Sequence, residues 1–129
     1  MEQLIRIVTP SVVLLECRNK LAILPGEEGV FGVMPLHEEM IVNLKPGIIN
    51  IESSNIYHTF YIDGGIAEVK GEVVTVVTEF AVDTSKIEKE KIITKISALE
   101  NEMNRDELSY QTEELKTELN KYRKLLSFL

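Results

Sequence analysis

The residues of this sequence with the most obvious chemical potential are His37, Glu38 and Glu39, a histidine followed by two carboxylates. An imidazole beside carboxylates can ligate a metal ion or act as an acid–base pair. Consecutive side chains on a strand point to opposite faces, however, so these three cannot converge on one ion or substrate. We therefore interpret His37 as a contact residue in a loop shaped by Pro35 and Pro46, and predict no metal site.

Two other features could carry chemistry. The glycine-rich stretch 26–32 contains Glu27 and Glu28, which would repel a phosphate, so it predicts a tight acidic loop. Cys17 lies within an apolar strand pattern, where a thiol is usually inert, and no nucleophile is placed with a histidine base by a known motif. The sequence therefore predicts a protein that is not an enzyme.

The composition of the chain limits the classes of partner that it can bind. The formal net charge of −7 and a sequence pI near 4.9 argue against nucleic acid and against direct binding to a membrane surface. No apolar run approaches the length of a membrane helix, and the first residues do not form a signal peptide pattern. The single cysteine cannot form an internal disulfide, so we expect a reducing cytoplasmic location.

The elements that must position these residues fall into two domains, 1–84 and 85–129, because all glycines and prolines precede residue 72 and residues 86–129 carry no net charge. The first domain is predicted to be an all-β sandwich of ten short strands separated by turn signals. The stretches 12–15 and 73–77 are apolar on both faces. A small sandwich has only one interior, so we expect a partner or another part of the chain to cover the second apolar face. The ten predicted strands are 4–8, 12–17, 21–24, 30–34, 40–44, 48–52, 57–62, 66–69, 73–78 and 80–82.

The second domain is predicted to be an antiparallel two-helix hairpin. Ser85 and Glu88 have the spacing of a capping box at the start of the first helix. Apolar residues then recur at steps of three and four, so that each helix has one narrow apolar stripe. Such a hairpin buries little and needs further support. The two stripes consist of Ile92, Ile96, Leu99 and Met103, and of Leu108, Thr112, Leu115, Leu119, Tyr122, Leu126 and Leu129.

Three motifs in order resemble the epsilon subunit of the F-type ATP synthase. They are residues 24–37, LPGEEGVFGVMPLH; residues 44–47, LKPG; and residues 60–69, FYIDGGIAEV. The resemblance spans essentially the whole chain and implies a ten-stranded β-sandwich with a C-terminal helical hairpin, in a non-catalytic subunit of the rotating central stalk.

The resemblance also implies partners and contact residues. The sandwich would bind the gamma subunit and the c-ring, on the cytoplasmic side of the bacterial inner membrane and peripheral to it. The residues implied for the c-ring are Glu27, Glu28, Val30 and Phe31. The residues implied for gamma are Leu36, His37 and Met40.

The hairpin of the family can fold onto the sandwich or extend along gamma, where it inhibits ATP hydrolysis by contacting the beta subunits. The alternative interpretation of its basic residues is a solvated helix face with ion pairs within the helix, such as Glu114 and Glu118 with Lys121. The candidate inhibitory residues are Lys116, Lys121, Arg123 and Lys124.

Many bacterial members of the family bind ATP through a motif at the start of the first helix, and this sequence departs from it. Ile87, Glu88 and Lys91 occupy motif positions, but glutamate replaces aspartate and lysine replaces arginine. Ile92 replaces a small alanine. Lysine lacks the two-pronged guanidinium, so we expect weak or absent ATP binding and no cofactor.

A different class of function is also compatible with the pattern. A free-standing β-sandwich adaptor could dimerise through the hairpin as a coiled coil. The two hypotheses differ in their partner, a rotor complex in one case and a second copy of the chain in the other.

Overall fold

The computed structural model describes residues 1–105 and 111–129. The chain divides into two compact units. The first unit is Met1–Ser85 and the second is Lys86–Leu129. None of the helices described has the length and apolar character needed to cross a bilayer.

The first unit is built from eight strands in residues 1–85, all of which the structure describes. The hydrogen-bonded order is β2-β1-β7-β6-β5-β3-β4, and β8 pairs with β6. All pairings are antiparallel except that of β1 with β7. The strands are β1 (Gln3–Val8), β2 (Val13–Asn19), β3 (Leu21–Gly26), β4 (Gly29–Val33), β5 (Met40–Ser53), β6 (Ile56–Lys70), β7 (Val73–Val77) and β8 (Ala81–Asp83).

Two bends convert this continuous sheet into the predicted sandwich. β5 and β6 run through both layers, with Pro46 opposite Asp63 and Leu44 opposite Gly65. One layer consists of the second half of β5, the first half of β6, and β3, β4 and β8. The other layer consists of the first half of β5, the second half of β6, and β7, β1 and β2. The sandwich fold is confirmed, but the turns expected at 45–47 and 63–65 are bends within strands. Ten predicted segments are therefore eight strands.

The core lies between the two layers. Alternate residues of each strand point inward, as the burial of Ile5 and Ile7 on β1 and of Val74 and Val76 on β7 shows. Burying such side chains contributes about 1.5–3 kcal/mol each. Only one face of the stretch 73–77 is therefore buried, and Val77 on the other face is 51% exposed.

In residues 86–105 and 111–129 the second unit forms two helices, α1 (Lys89–Arg105) and α2 (Gln111–Ser127), and a short 3-10 turn over Thr84–Lys86 precedes them. The predicted capping box is wrong. The Ser85 hydroxyl donates to Asp83 Oδ1 at 2.6 Å. The carbonyl of Glu88 instead accepts from the amides of Lys91 and Ile92, so the helix begins after Glu88.

The predicted apolar stripes pack against each other, which confirms the helical hairpin. Ile96, Leu99 and Leu119 are buried in one cluster, and the remaining described stripe residues flank it, except Leu129, which lies beyond α2. Leu108 and the side chain of Thr112 fall outside the described residues. The partly buried members are Ile92, Met103, Leu115, Tyr122 and Leu126.

Candidate functional site

The acidic loop predicted from the glycine-rich stretch is a two-residue hairpin turn. Gly26 at the end of β3 pairs with Gly29 at the start of β4, and Glu27 and Glu28 form the exposed connection. A Cβ on Gly26 would meet the Gly29 carbonyl oxygen at 2.7 Å, so only glycine permits this close approach. The geometry presents two carboxylates to solvent at the end of the sandwich.

A second turn, Pro35-Leu36, follows β4. Leu36 has a φ of 69° and is 71% exposed, an unusual backbone conformation for a large apolar residue. His37 Nδ1 lies 3.0 Å from the carbonyl oxygen of Glu38. Throughout the described ranges, no three histidine, cysteine, aspartate or glutamate residues are grouped as metal ligands.

One open groove brings the two predicted contact regions together. It has a volume of about 620 Å³ and lies between the β3–β4 hairpin and the first residues of β5. The four residues predicted for the c-ring and two of the three predicted for gamma line it, whereas Leu36 does not. These lining residues are Glu27, Glu28, Val30, Phe31, His37 and Met40. We refer to this feature as the acidic groove.

Sequence reasoning missed Ile41, which also lines the acidic groove and is 74% exposed. The alternation Met40-Ile41-Val42 places Ile41 on the opposite face of β5 from Met40 and Val42, which pack against the core. Because neighbouring residues of a strand face opposite sides, placing Met40 and Val42 in the core would have placed Ile41 on the outside. Val30 on β4 is similarly exposed, at 69%.

The candidate inhibitory residues lie on α2, and the structure gives three of them local contacts. Lys116 Nζ lies 3.6 Å from Glu113 Oε1, and Arg123 Nη2 lies 3.2 Å from Glu100 Oε1 on α1. Lys121 Nζ lies 5.4 Å from the centre of the Tyr122 ring. Lys124 is exposed. The contacts of Lys116 and Arg123 are therefore weak, solvent-exposed ion pairs within the hairpin.

The residues at the nucleotide-motif positions interact with each other. Glu88 caps α1 through its carbonyl, and its carboxylate lies 3.7 Å from Lys91 Nζ. Ile92 packs against the hairpin cluster. The basic and acidic groups at these positions are thus paired at the helix start, and the isoleucine side chain belongs to the apolar interface.

Cys17 is half-buried on β2 beside the core. Burial raises the pKa of the Cys17 thiol, and the charge of Glu2 adds to the increase, although the side chain of Ser53 opposes it. A protonated thiol is a poor nucleophile, so the geometry supports a packing role for this residue.

Comparisons with known proteins agree with this architecture. The family model "ATP synthase, Delta/Epsilon chain, beta-sandwich domain" matches residues 3–84. The ATP synthase epsilon chain of Rickettsia prowazekii is 38% identical over 94 residues, which cover 70% of this chain and 84% of that protein. The epsilon chain of Rickettsia felis is 37% identical over 100 residues, 75% of this chain and 89% of that protein.

Solved structures share the fold. A chain of the Euglena gracilis mitochondrial ATP synthase superposes with a TM-score of 0.70 at 20% identity, over 98% of this chain and 78% of that one. A chain from the Tetrahymena thermophila mitochondrial ATP synthase central stalk and c-ring gives 0.57 at 15% identity, over 67% and 69%. The resemblance read from the sequence is confirmed, and the chain belongs to the epsilon-chain family of the F-type ATP synthase.

Proposed function

We propose that this chain is a non-catalytic rotor subunit that couples the gamma subunit to the c-ring of a bacterial ATP synthase. The observation that carries the proposal is the acidic groove, where residues expected to face two different partners line one surface. A subunit that transmits torque must hold both partners at once, and adjacent contacts on a rigid sandwich suit that task.

The two turns beside the groove, Glu27-Glu28 and Pro35-Leu36, lie next to the contacts proposed for two different partners. Glu27 and Glu28 offer carboxylates to polar loops of the c-ring, and Val30 and Phe31 add apolar area beside them. His37 and Met40, with the strained Leu36, face gamma. The complex would lie peripherally on the cytoplasmic side of the bacterial inner membrane, with no direct membrane contact by this chain.

The hairpin is proposed to inhibit ATP hydrolysis when it extends along gamma toward the beta subunits. Lys116 and Arg123 are held by exposed ion pairs, which are worth only about 0–1 kcal/mol each. These pairs can therefore be exchanged for carboxylates of a partner at low cost. Lys121 and Lys124 are the other basic side chains of α2 proposed to meet the beta subunits.

We further propose that the hairpin binds ATP weakly or not at all. The pairing of Glu88 with Lys91 and the packing of Ile92 support this, because both would have to be rearranged around a nucleotide. Titration of the isolated chain should show no saturation at sub-millimolar ATP. Saturable binding in that range would contradict this part of the proposal.

The rotor function is tested by purification from cells with a tagged chain. The expected result is a complex that contains gamma and the c-ring and retains them through dilution. Recovery of a homodimer without either subunit would instead support the alternative adaptor that dimerises through the hairpin.

Inhibition is tested in the assembled enzyme with a chain ending at Ser85 and with full-length Lys116→Gln/Lys121→Gln/Arg123→Gln/Lys124→Gln. Both changes should raise ATP hydrolysis. Glu102→Gln, which removes an exposed acidic group from α1 of the same hairpin, is the control and should leave hydrolysis unchanged. Unchanged hydrolysis in the truncated enzyme would disprove the inhibitory role.

A further inference from the structure

Two strands that each have a free edge line the acidic groove. β4 pairs with β3 on one side only, and it is the last strand of the sheet order. Met40, Ile41 and Val42 pair with β6, whereas β3 joins β5 only at Leu44 and beyond. Among the residues that the structure describes, neither edge has a strand beside it within the groove.

The backbone of β5 is oriented toward this space. The amide of Glu27 donates to the carbonyl of Asn43 at 3.0 Å, so the carbonyl of Asn43 points away from β6. Backbone groups of alternate residues in an antiparallel ladder point to the same side. The N–H and C=O of Ile41 therefore also point away from β6, into the groove. In the described ranges neither group bonds outside the β5–β6 ladder.

Side chains at these edges are apolar and exposed. Ile41 is 74% and Val30 is 69% exposed, although soluble proteins usually protect free edges with charged side chains, proline or bulges. Gly29 and Gly32 contribute no side chains that would block an approaching chain. A free, open and apolar edge is the geometry used for strand addition by an extended peptide.

The charge around the groove defines the occupant. Glu27 and Glu28 line it, and Glu38 and Glu39 are exposed just before β5. Of the residues that line it, none is a lysine or an arginine. A second copy of the chain is disfavoured because the whole net charge of −7 resides in residues 1–85, so two sandwiches repel each other.

We propose that the acidic groove binds an extended, basic segment of a partner protein by β-strand addition, with backbone hydrogen bonds to Ile41 and apolar contacts to Ile41 and Val30. The glutamates at the rim attract the basic side chains of the segment. The inference deepens the proposed docking function by giving its mode of binding, and rests on that function for the identity of the partner.

The first test uses the full chain and a peptide of about eight alternating lysine and valine residues, the length of an ordinary strand. Binding should slow hydrogen exchange of the Ile41 amide, observed by NMR. The same peptide N-methylated on the residues that face β5 keeps its charge, but its methyl groups replace the N–H donors and block close approach to the strand edge, so it should not slow this exchange. Equal protection by both peptides would overturn strand addition.

The second test uses an ATP synthase complex from which this chain has been removed. Ile41→Pro deletes the groove-facing N–H without removing a bond of the β5–β6 ladder, since proline is tolerated where an edge N–H faces solvent. Ile41→Ala keeps the N–H and shortens the side chain. Rebinding should weaken about tenfold for proline and clearly less for alanine. Circular dichroism of each free variant verifies the fold.

The outcomes separate the two proposals. If the wild-type chain rebinds but proline and alanine act equally, and the Ile41 amide exchanges as in the free chain, docking stands and strand addition is wrong. If the peptide protects Ile41 but the complex does not bind the chain, strand addition stands and the rotor function is wrong. If neither binds, both are wrong.

Discussion

The side-chain nitrogen of Gln3 lies 3.0 Å from the side-chain oxygen of Asn19, and both residues are almost completely buried. The same nitrogen donates to the Val33 carbonyl oxygen at 2.7 Å. Because Gln3 and Asn19 belong to β1 and β2 and Val33 to β4, this polar cluster joins opposite layers of the sandwich. It fixes how the layers meet, a constraint that apolar packing alone imposes only loosely.

Gln3→Met should therefore destabilise the sandwich although methionine has a similar size. The Asn19 oxygen and the Val33 carbonyl would lose a donor in a buried site, which costs about 1–3 kcal/mol. Urea unfolding measures this loss. Arg6→Met on the outer face of the same strand, whose partner Glu16 is exposed, is the control and should change the free energy of unfolding by less than about 1 kcal/mol.

Glycine at position 65 is predicted to be essential for the bend of β6. Its φ is 142°, and a Cβ there would overlap the carbonyl oxygen of Val77 on the neighbouring strand. Gly65→Ala should thus lower the free energy of unfolding by more than about 2 kcal/mol, beyond the usual cost of a left-handed backbone. Gly71, at a φ of 60° with open space around it, is the matched control.

For Gly71→Ala we expect a loss of only about 1–2 kcal/mol, because strain is the sole cost. Thermal unfolding of the two variants side by side gives the comparison. Equal losses would show that the close approach to Val77 has no energetic weight in the bend.

Much of this fold follows from patterns in the sequence, and the two turns that were wrongly predicted at 45–47 and 63–65 share one cause. Alternation identified the strands, but Pro46 and Gly65 were interpreted as turn residues. Proline and glycine mark bends as well as chain reversals, and local sequence does not distinguish them. Only the pairing of Pro46 with Asp63 across two long strands decides between the two.

The sequence predicts the candidate contact residues one by one but does not predict their assembly around one groove. Motif order predicted contact roles for Glu27 and His37, yet their presence on one groove depends on the tertiary packing of the β3–β4 hairpin beside β5. Ile41 was missed because an apolar residue inside a predicted strand is expected to be buried. The capping prediction failed because Asp83, outside the motif, takes the Ser85 hydroxyl.

Alkaline conditions should destabilise the chain through Tyr61. Burial raises the pKa of its phenol well above the ordinary value of 10.0, and the nearby Asp63 carboxylate adds to the shift. Below pH 10 the phenol is protonated in both folded and unfolded chains. As the pH rises past 10 the unfolded chain loses this proton first, so the free energy of unfolding falls.

Urea unfolding across this pH range measures the effect. In Tyr61→Phe the decline above pH 10 should be shallower, because the phenylalanine ring does not titrate. Tyr57→Phe, at an exposed position on the same strand, is the control and should retain the wild-type decline. The same decline in both variants would assign the alkaline loss to other groups.

The stability of the hairpin should depend on the buried face of α1 that contains Ile96. Ile96 is 8% exposed and belongs to the apolar cluster with Leu99 and Leu119, whereas Ile93 on the same helix is 43% exposed. Ile96→Ala removes buried methylene groups and leaves a cavity, so it should destabilise the hairpin by about 2–4 kcal/mol.

Ile93→Ala makes the same chemical change where the side chain is already largely in water, and alanine has the better helix propensity. It should change the free energy of unfolding by less than about 1 kcal/mol. The helical circular dichroism signal, followed in urea, reports on both variants. In the described part of this two-helix unit few other side chains are buried, so Ile96→Ala should also lose helical signal before any denaturant is added. Equal stability of the two variants would show that the stripe does not hold the hairpin together.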